Sequence, residues 1–298
     1  MHYIRSALLA LTLTHALTAW AVDLQPNDIV APPPNKNFIT VSYYNTENST
    51  FYSNGAVNSK TSFASPVIDT QSAILRGART YTLADLPAVS YIQLPYGSVR
   101  PAGSLSSAPT DTGFGDLVLA TAIWPYANKA TRTYVGVGGY LIAPMGSYSS
   151  GQAFNLAENR FRTDLQIGFQ TPIVGGIDGM IAVDTMWFGG NSQCAAACNS
   201  TSDNVSLTQK PLTTTQLGPI YRINEIFTVG ASYIYAVGGA TSINNTYMNN
   251  VVNTQRFLLS GQAHTPIGRF SLQYGRDMEI KNGFIQTRVL AVRLMKDF

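Results

Sequence analysis

Arg269, Phe270, Ser271, Leu272, Gln273, Tyr274, Gly275, Arg276, Asp277, Met278, Glu279 and Ile280 alternate in kind: apart from Arg276 the even positions are apolar, and the odd ones are polar or Gly. A period of two marks an extended strand whose faces meet different surroundings. Lys281, Asn282 and Gly283 suit a short hairpin turn with Gly at the left-handed position. The chain then runs extended to Phe298. The register this turn implies sets Phe270 opposite Leu294, Leu272 opposite Val292 and Tyr274 opposite Leu290, which makes one oily face. Ser271 against Arg293 and Asp277 against Thr287 make a wet one. A soluble sandwich shows the same alternation, so the surroundings must be decided elsewhere.

Composition narrows them. Of 298 residues only 12% are charged, against about 25% in an ordinary soluble domain. Polarity comes from Ser, Thr, Asn, Gln and Gly, and there are 16 Tyr. Such a mixture fits strands with one lipid face and one uncharged aqueous face. The net charge of +3 is scattered, which excludes a nucleic-acid binder built on a basic stripe. Residues 1–21 read as a secretory signal, with Arg5, an apolar stretch from Ala7 to Ala19 and a small-x-small cleavage site at Ala19-Trp20-Ala21. Beyond them no apolar run reaches the roughly 18 residues a membrane helix needs. Residues 22–36, with Pro26 and Pro32-Pro33-Pro34, cannot join a ladder or a helix interior and are expected to be a periplasmic lead-in.

Residues 37–298 read as a transmembrane antiparallel β-barrel of about twelve strands, ten or fourteen being the alternatives. The connections carry the argument. Long Ser-, Asn-, Gly- and Pro-rich loops follow strands one, three, five, seven and nine, while tight turns such as Ala84-Asp85-Leu86 and Ile223-Asn224-Glu225 follow the even-numbered strands. Outer-membrane barrels have this asymmetry, with short periplasmic turns and longer outside loops. Strand two, with Arg76 and Arg79 of opposite parity, is expected to contain a bulge. Tyr43, Tyr44, Trp124, Tyr126, Trp187, Tyr221 and Tyr235, near strand ends, are expected to form interfacial girdles.

The runs Gly113-Phe114-Gly115-Asp116-Leu117, Ala157-Glu158-Asn159-Arg160-Phe161 and Thr163-Asp164-Leu165-Gln166-Ile167-Gly168 resemble those of the outer-membrane transporter family named for the meta-pathway of phenol degradation, similar in kind to the fatty-acid and toluene uptake barrels. The resemblance covers residues from about Asp23 to Phe298. It implies a barrel in the outer membrane of a Gram-negative bacterium and the passage of small hydrophobic, including aromatic, compounds. It supplies no binding residues.

Candidate chemistry is sparse. Once the signal is removed His264 is the one histidine left, too little for a His-containing catalytic set. No zinc spacing exists, so no metal, cofactor or catalytic residue is expected. Cys194 and Cys198 in an exported chain read as a loop-closing disulfide. Arg160, Arg162, Asp164, Arg256 and Asp277 have inward parity. They either pair across the lumen and stiffen it or form a constriction that selects what passes. A tight turn at Pro266-Ile267 would set Arg256 against Asp277 and Ser260 against Gln273. Arg276 and Arg288 have lipid-facing parity, roughly 25 Å above Phe298 for a strand rising about 3.3 Å per residue at a 40° tilt. At that height the cost of a charge, about 2 to 4 kcal/mol at the midplane, falls close to zero. They are therefore expected to touch phosphates of lipopolysaccharide in the outer leaflet. Expected partners are thus outer-membrane lipid, a small hydrophobic solute and, through the C-terminal strand, the barrel-assembly machinery. The function expected is a channel or transporter, with a surface adhesion or structural barrel as alternative and an outer-membrane hydrolase disfavoured.

Overall fold

The computed structural model describes residues 23–58, 63–198, 200 and 205–298. The expected signal peptide lies outside the described residues. In chain order the strands are β1 (Asn37–Ser53), β2 (Ala56–Val57), β3 (Pro66–Leu83), β4 (Leu86–Gly103), β5 (Asp111–Phe114), β6 (Leu117–Asn128), β7 (Thr133–Ala143), β8 (Arg162–Val174), β9 (Ile177–Phe188), β10 (Leu207–Gln209), β11 (Leu212–Arg222), β12 (Phe227–Gly238), β13 (Thr241–Ile243), β14 (Thr246–Tyr247), β15 (Val252–Thr265), β16 (Gly268–Ile280) and β17 (Gly283–Asp297).

The protein is all-β. Twelve strands, those other than β2, β5, β10, β13 and β14, pair antiparallel with their neighbours in the chain, and β17 closes on β1 with Val41 opposite Leu294 and Tyr43 opposite Val292. Closure leaves no edge strand, which a spanning sheet needs because lipid offers its backbone no partners. Even closure also leaves both ends of the barrel chain, Asn37 and Phe298, hydrogen-bonded to each other at the short-turn end. In an outer-membrane barrel that end is periplasmic.

The faces follow the alternation. Along β8 the odd residues Leu165, Ile167 and Phe169 are exposed outward, while Arg162, Asp164, Gln166 and Gln170 are buried inside. In the last hairpin Phe270 faces Leu294, Leu272 faces Val292 and Tyr274 faces Leu290, and across the preceding turn Arg256 faces Asp277 and Ser260 faces Gln273.

Four local expectations are corrected. Strand β3 keeps an unbroken register with β1 and β4, so it has no bulge. Arg76 points inward while Arg79, near the strand's periplasmic end, faces out and donates to Asn37 Oδ1 at 3.0 Å. The pair Asp277–Thr287 is not formed, because the β16–β17 ladder ends at Gly275–Val289. Above that point the Asp277 carboxylate takes the place of a backbone acceptor, and the Gln286 N–H donates to its Oδ2 at 2.7 Å. A bulge in β16 at Met278, opposite Gln255–Arg256, and another in β17 at Thr287, opposite Glu47–Asn48, accompany this parting, and the first turns Ile280 to the buried face. Trp124 and Tyr44 are lumenal rather than girdle residues, whereas Tyr43, Tyr126, Trp187 and Tyr221 are exposed. Trp124 and Tyr126 have the same parity in the sequence but opposite faces, because the β6–β7 register shifts between Ile123 and Tyr126. Pro125, which has no N–H to give the ladder, sits at that shift.

The fourth correction concerns residues 23–36. This segment is not an external lead-in. It enters the barrel from the periplasmic end, and Leu24, Gln25, Ile29 and Ala31 are buried. Apolar packing therefore fills both ends of the bore. At the periplasmic half Leu24, Ile29 and Ala31 pack with Trp124, Tyr134, Met180, Ala182 and Ile220. At the outer end the loop residues Phe63, Leu105, Phe154 and Leu156 pack with Phe51, Ile68, Val99 and Phe284 from the strand ends. Each such buried side chain contributes about 1.5–3 kcal/mol.

Candidate functional site

The lumen is organised around the inserted segment. Lumenal glutamines hold its backbone and amides. Gln216 Oε1 accepts from the Leu24 N–H and Gln216 Nε2 donates to the Leu24 carbonyl, both at 2.9 Å. Gln25 Nε2 donates to Gln273 Oε1 at 3.2 Å, and Gln262 meets Asn27 Nδ2 at 2.9 Å and the Pro26 carbonyl at 3.1 Å. Trp124 Nε1 donates to the Ile29 carbonyl at 2.7 Å, and Thr80 Oγ1 donates to the Pro33 carbonyl at 2.7 Å. A segment too Pro-rich for a ladder thus has its carbonyls at Leu24, Pro26, Ile29 and Pro33 satisfied by side chains instead. Asp28 is the ionic latch, with Arg293 Nη1 at 3.0 Å and Arg269 Nη2 at 3.6 Å. Burial alone would push the Asp28 carboxyl up, but those two guanidiniums, with the Gln25 N–H, hold it below the ordinary carboxylate value. Asp23, near the inner tip, is raised by its burial despite Arg256, whose Nη1 lies 3.8 Å away.

Glycines leave the room. A Cβ at Gly168 would sit 3.1 Å from Ile29 Cδ1, and one at Gly230 would sit 3.0 Å from Pro26 Cγ. Beside the segment lies a cavity of about 640 Å³, walled by Tyr91, Trp124, Tyr134 and Tyr140 with Ile29, Val30, Val89 and Ala122. A smaller cavity of about 130 Å³ lies toward the outer mouth, lined by Asp23, Tyr44, Asp164, Arg162 and Arg256 among others. Arg76, Tyr91 and Tyr140 line both cavities.

The inward charges sort into separate groups. Arg162 Nη1 donates to Glu158 Oε1 at 2.7 Å and Arg162 Nη2 to Asp116 Oδ2 at 3.0 Å. Arg160 pairs with Glu158 Oε2, donates to Gln209 Oε1 at 2.6 Å and lies 4.7 Å over the Phe188 ring. All four charged groups are buried. Asp116 also accepts from the Gly146 and Glu158 N–H groups, so the cluster ties the loop between β7 and β8 onto the mouth. Arg256 Nε donates to Asp277 Oδ1 at 2.9 Å, binding β15 to β16. Asp164 lines the smaller cavity. Asp178, which the sequence reading did not single out, pairs with Arg132 at 3.1 Å and with Arg222 at the periplasmic end. Asp116 and Glu158 were missed as well, although each sits inside one of the runs that carried the family resemblance. The signal available was that the runs hold the carboxylates Asp116 and Glu158 and that Arg160 lies within, and Arg162 just after, the run that contains Glu158.

On the outer surface Arg276 is exposed, whereas Arg288 lies 3.4 Å from Glu47. Cys194 and Cys198 are joined by a disulfide, which packs with Val205 and Leu207 under the outside loops. His264 lines the larger cavity at its periplasmic rim. Among the described residues no cluster of His, Cys, Asp and Glu is arranged to hold a metal ion.

A closed twelve-stranded antiparallel barrel of this kind is the fold of outer-membrane proteins. The family described as "Putative MetA-pathway of phenol degradation" matches residues 47–294, and the chain belongs to it. Its structure is similar to the COG4313 outer membrane channel from Pseudomonas putida F1, at 25% identity and a TM-score of 0.85, covering 93% of this chain and 100% of that one. It also shares its fold with the translocator domain of the autotransporter NalP from Neisseria meningitidis, at 10% identity and a TM-score of 0.50, covering 91% of each chain. Among curated proteins no sequence matches.

Proposed function

We propose that this protein is an outer-membrane channel that passes small hydrophobic solutes, aromatic ones included. The observation that carries the reading is the 640 Å³ cavity beside the inserted segment, walled by Tyr91, Trp124, Tyr134 and Tyr140 and by aliphatic side chains. That volume suits a small organic molecule, and an aromatic wall binds rings through offset and edge contacts. A water-filled diffusion pore for sugars or salts has no use for such a wall, and the inserted segment would obstruct one. Membership of the family and structural similarity to an outer membrane channel support the same reading. The test is uptake by vesicles containing the purified protein. Toluene or benzyl alcohol is expected to enter faster than into protein-free vesicles, and a hexose is not. Equal entry of the hexose would mark a general pore, and no stimulated entry of any solute would favour the adhesion or structural alternative.

A further inference from the structure

The larger cavity is apolar in its walls but cationic in its charge. Arg76, Lys129, Arg132, Arg222 and Arg269 line it, against the single carboxylate of Asp28. Asp178 and Asp28 each serve two of the barrel's arginines, Asp178 holding Arg132 and Arg222 and Asp28 holding Arg269 and Arg293. Arg76 differs from all of these. Its Nε and Nη2 donate to the neutral Gln93 Oε1, at 3.0 and 2.7 Å, and among the described residues no carboxylate pairs with it. Its guanidinium lies 4.3 Å over the Tyr91 ring, and Tyr91 meets Tyr140 edge to face at 6.3 Å. These three residues line both cavities, so Arg76 stands where the two adjoin. A surplus charge in a low-dielectric enclosure acts far more strongly than one in water.

We infer that the larger cavity, with Arg76 at its inner end, is a binding site for monocyclic aromatic carboxylates. The ring lies against Tyr91, Tyr140 and Trp124, and the carboxylate takes guanidinium N–H bonds from Arg76. A planar guanidinium suits a planar carboxylate and can stack on an aromatic face at the same time. In the smaller cavity Asp23, Asp116 and Asp164 face Arg162 and Arg256, which are already paired with carboxylates, so the carboxylate is placed on the Arg76 side nearer the larger one. The inference rests on the channel reading and adds to it a charge preference.

Benzoate and the neutral benzyl alcohol are similar in size and ring, so their comparison isolates the charge. Titrated into the full chain in detergent and followed by calorimetry and Trp fluorescence, benzoate is expected to bind saturably and at least about tenfold more tightly than benzyl alcohol, the scale of one charge-assisted bond. Cyclohexanecarboxylate is expected to bind more weakly than benzoate. Arg76→Gln is expected to remove the preference for benzoate over benzyl alcohol, and Arg76→Lys to keep part of it. The ligand comparison on the unaltered protein stands without any variant, so misfolding of Arg76→Gln would not shelter the idea. Equal affinity for benzoate and benzyl alcohol, an undiminished preference in Arg76→Gln, or no binding of either ligand would overturn it. Stimulated uptake of toluene without any preference for benzoate would leave the channel and remove this site, whereas absent uptake of every solute would remove the channel.

Discussion

At the scale of single residues, the charges inside the barrel do different work according to what stands beside them. Arg162 bridges Asp116 and Glu158 in a site closed to water, and taking away one partner of a buried pair leaves uncompensated charge at a cost of about 3–5 kcal/mol. Arg162→Ala should therefore loosen the loop between β7 and β8: proteolysis within residues 144–161 should quicken and the temperature of the heat-induced gel shift should fall. Asp164→Asn, which breaks no ion pair, should leave both near the unaltered values. If the two variants behaved alike, the ion pairs would not be what pins the mouth. Outside, Arg276 and Arg288 are not equivalent. Arg276 is exposed on the lipid-facing surface, while Arg288 is engaged by Glu47. The proposed contact with lipopolysaccharide phosphate thus falls mainly on Arg276. Arg276→Ala is expected to weaken lipopolysaccharide retention during purification more than Arg288→Ala, and the reverse order would assign the contact to Arg288.

Among the elements, the inserted segment is held by the Asp28 latch, by glutamines and by fit. Because the carboxyl of seated Asp28 is held below its ordinary value of 3.8, seating is favoured at any pH above that value and loses this contribution as pH falls through the lowered one. The Asp28 contribution, read through the environment of Trp124, which bonds Ile29, should then be lost only in strong acid, while Asp23, raised by its burial, weakens seating where it is ionised and so acts in the opposite sense; in Asp28→Asn the segment should be looser throughout and lack the strong-acid step. Gly168→Leu should expel the segment by a different route, since even a Cβ there already crowds Ile29. Strand positions and faces were legible in the sequence because period two survives wherever lipid lies on one side: β8, β16 as far as Met278 and most of β17 stand as the alternation places them. The inserted segment was not legible. Its prolines argue correctly against a ladder, yet they say nothing about where a non-ladder segment goes. Its acceptors, Gln216, Gln262 and Gln273, lie on three separate strands and meet only once the barrel closes. Trp124 was misread for a local reason, the shift at Pro125 that reverses the faces beyond it. The runs holding Asp116 and Glu158 were visible, but that they meet is a fact of topology.

Taken whole, the molecule is a barrel with two seals in series, the smaller cavity between them and the larger one running beside the inner seal to the periplasmic rim. The outer seal is the apolar cap of Phe154, Leu156, Leu105 and Phe63 against the strand ends; the inner is the inserted segment against Trp124, Met180 and Ile220. Ion flow through resistances in series is limited by whichever remains closed. Deleting residues 23–34 alone should raise single-channel conductance in planar bilayers only modestly, and deleting residues 148–156 alone should do the same. The latter deletion spares the ion pairs of Glu158, Arg160 and Arg162 and should keep the barrel's heat-dependent gel shift intact. Both deletions together should give a conductance well above the sum of the single increments, because coupling of this kind appears as non-additivity in a double-mutant cycle. If the 23–34 deletion alone reached the conductance of the double, the outer loops would be a porous canopy and the inserted segment the sole barrier. Selection among solutes would then fall to that segment and the cavity beside it.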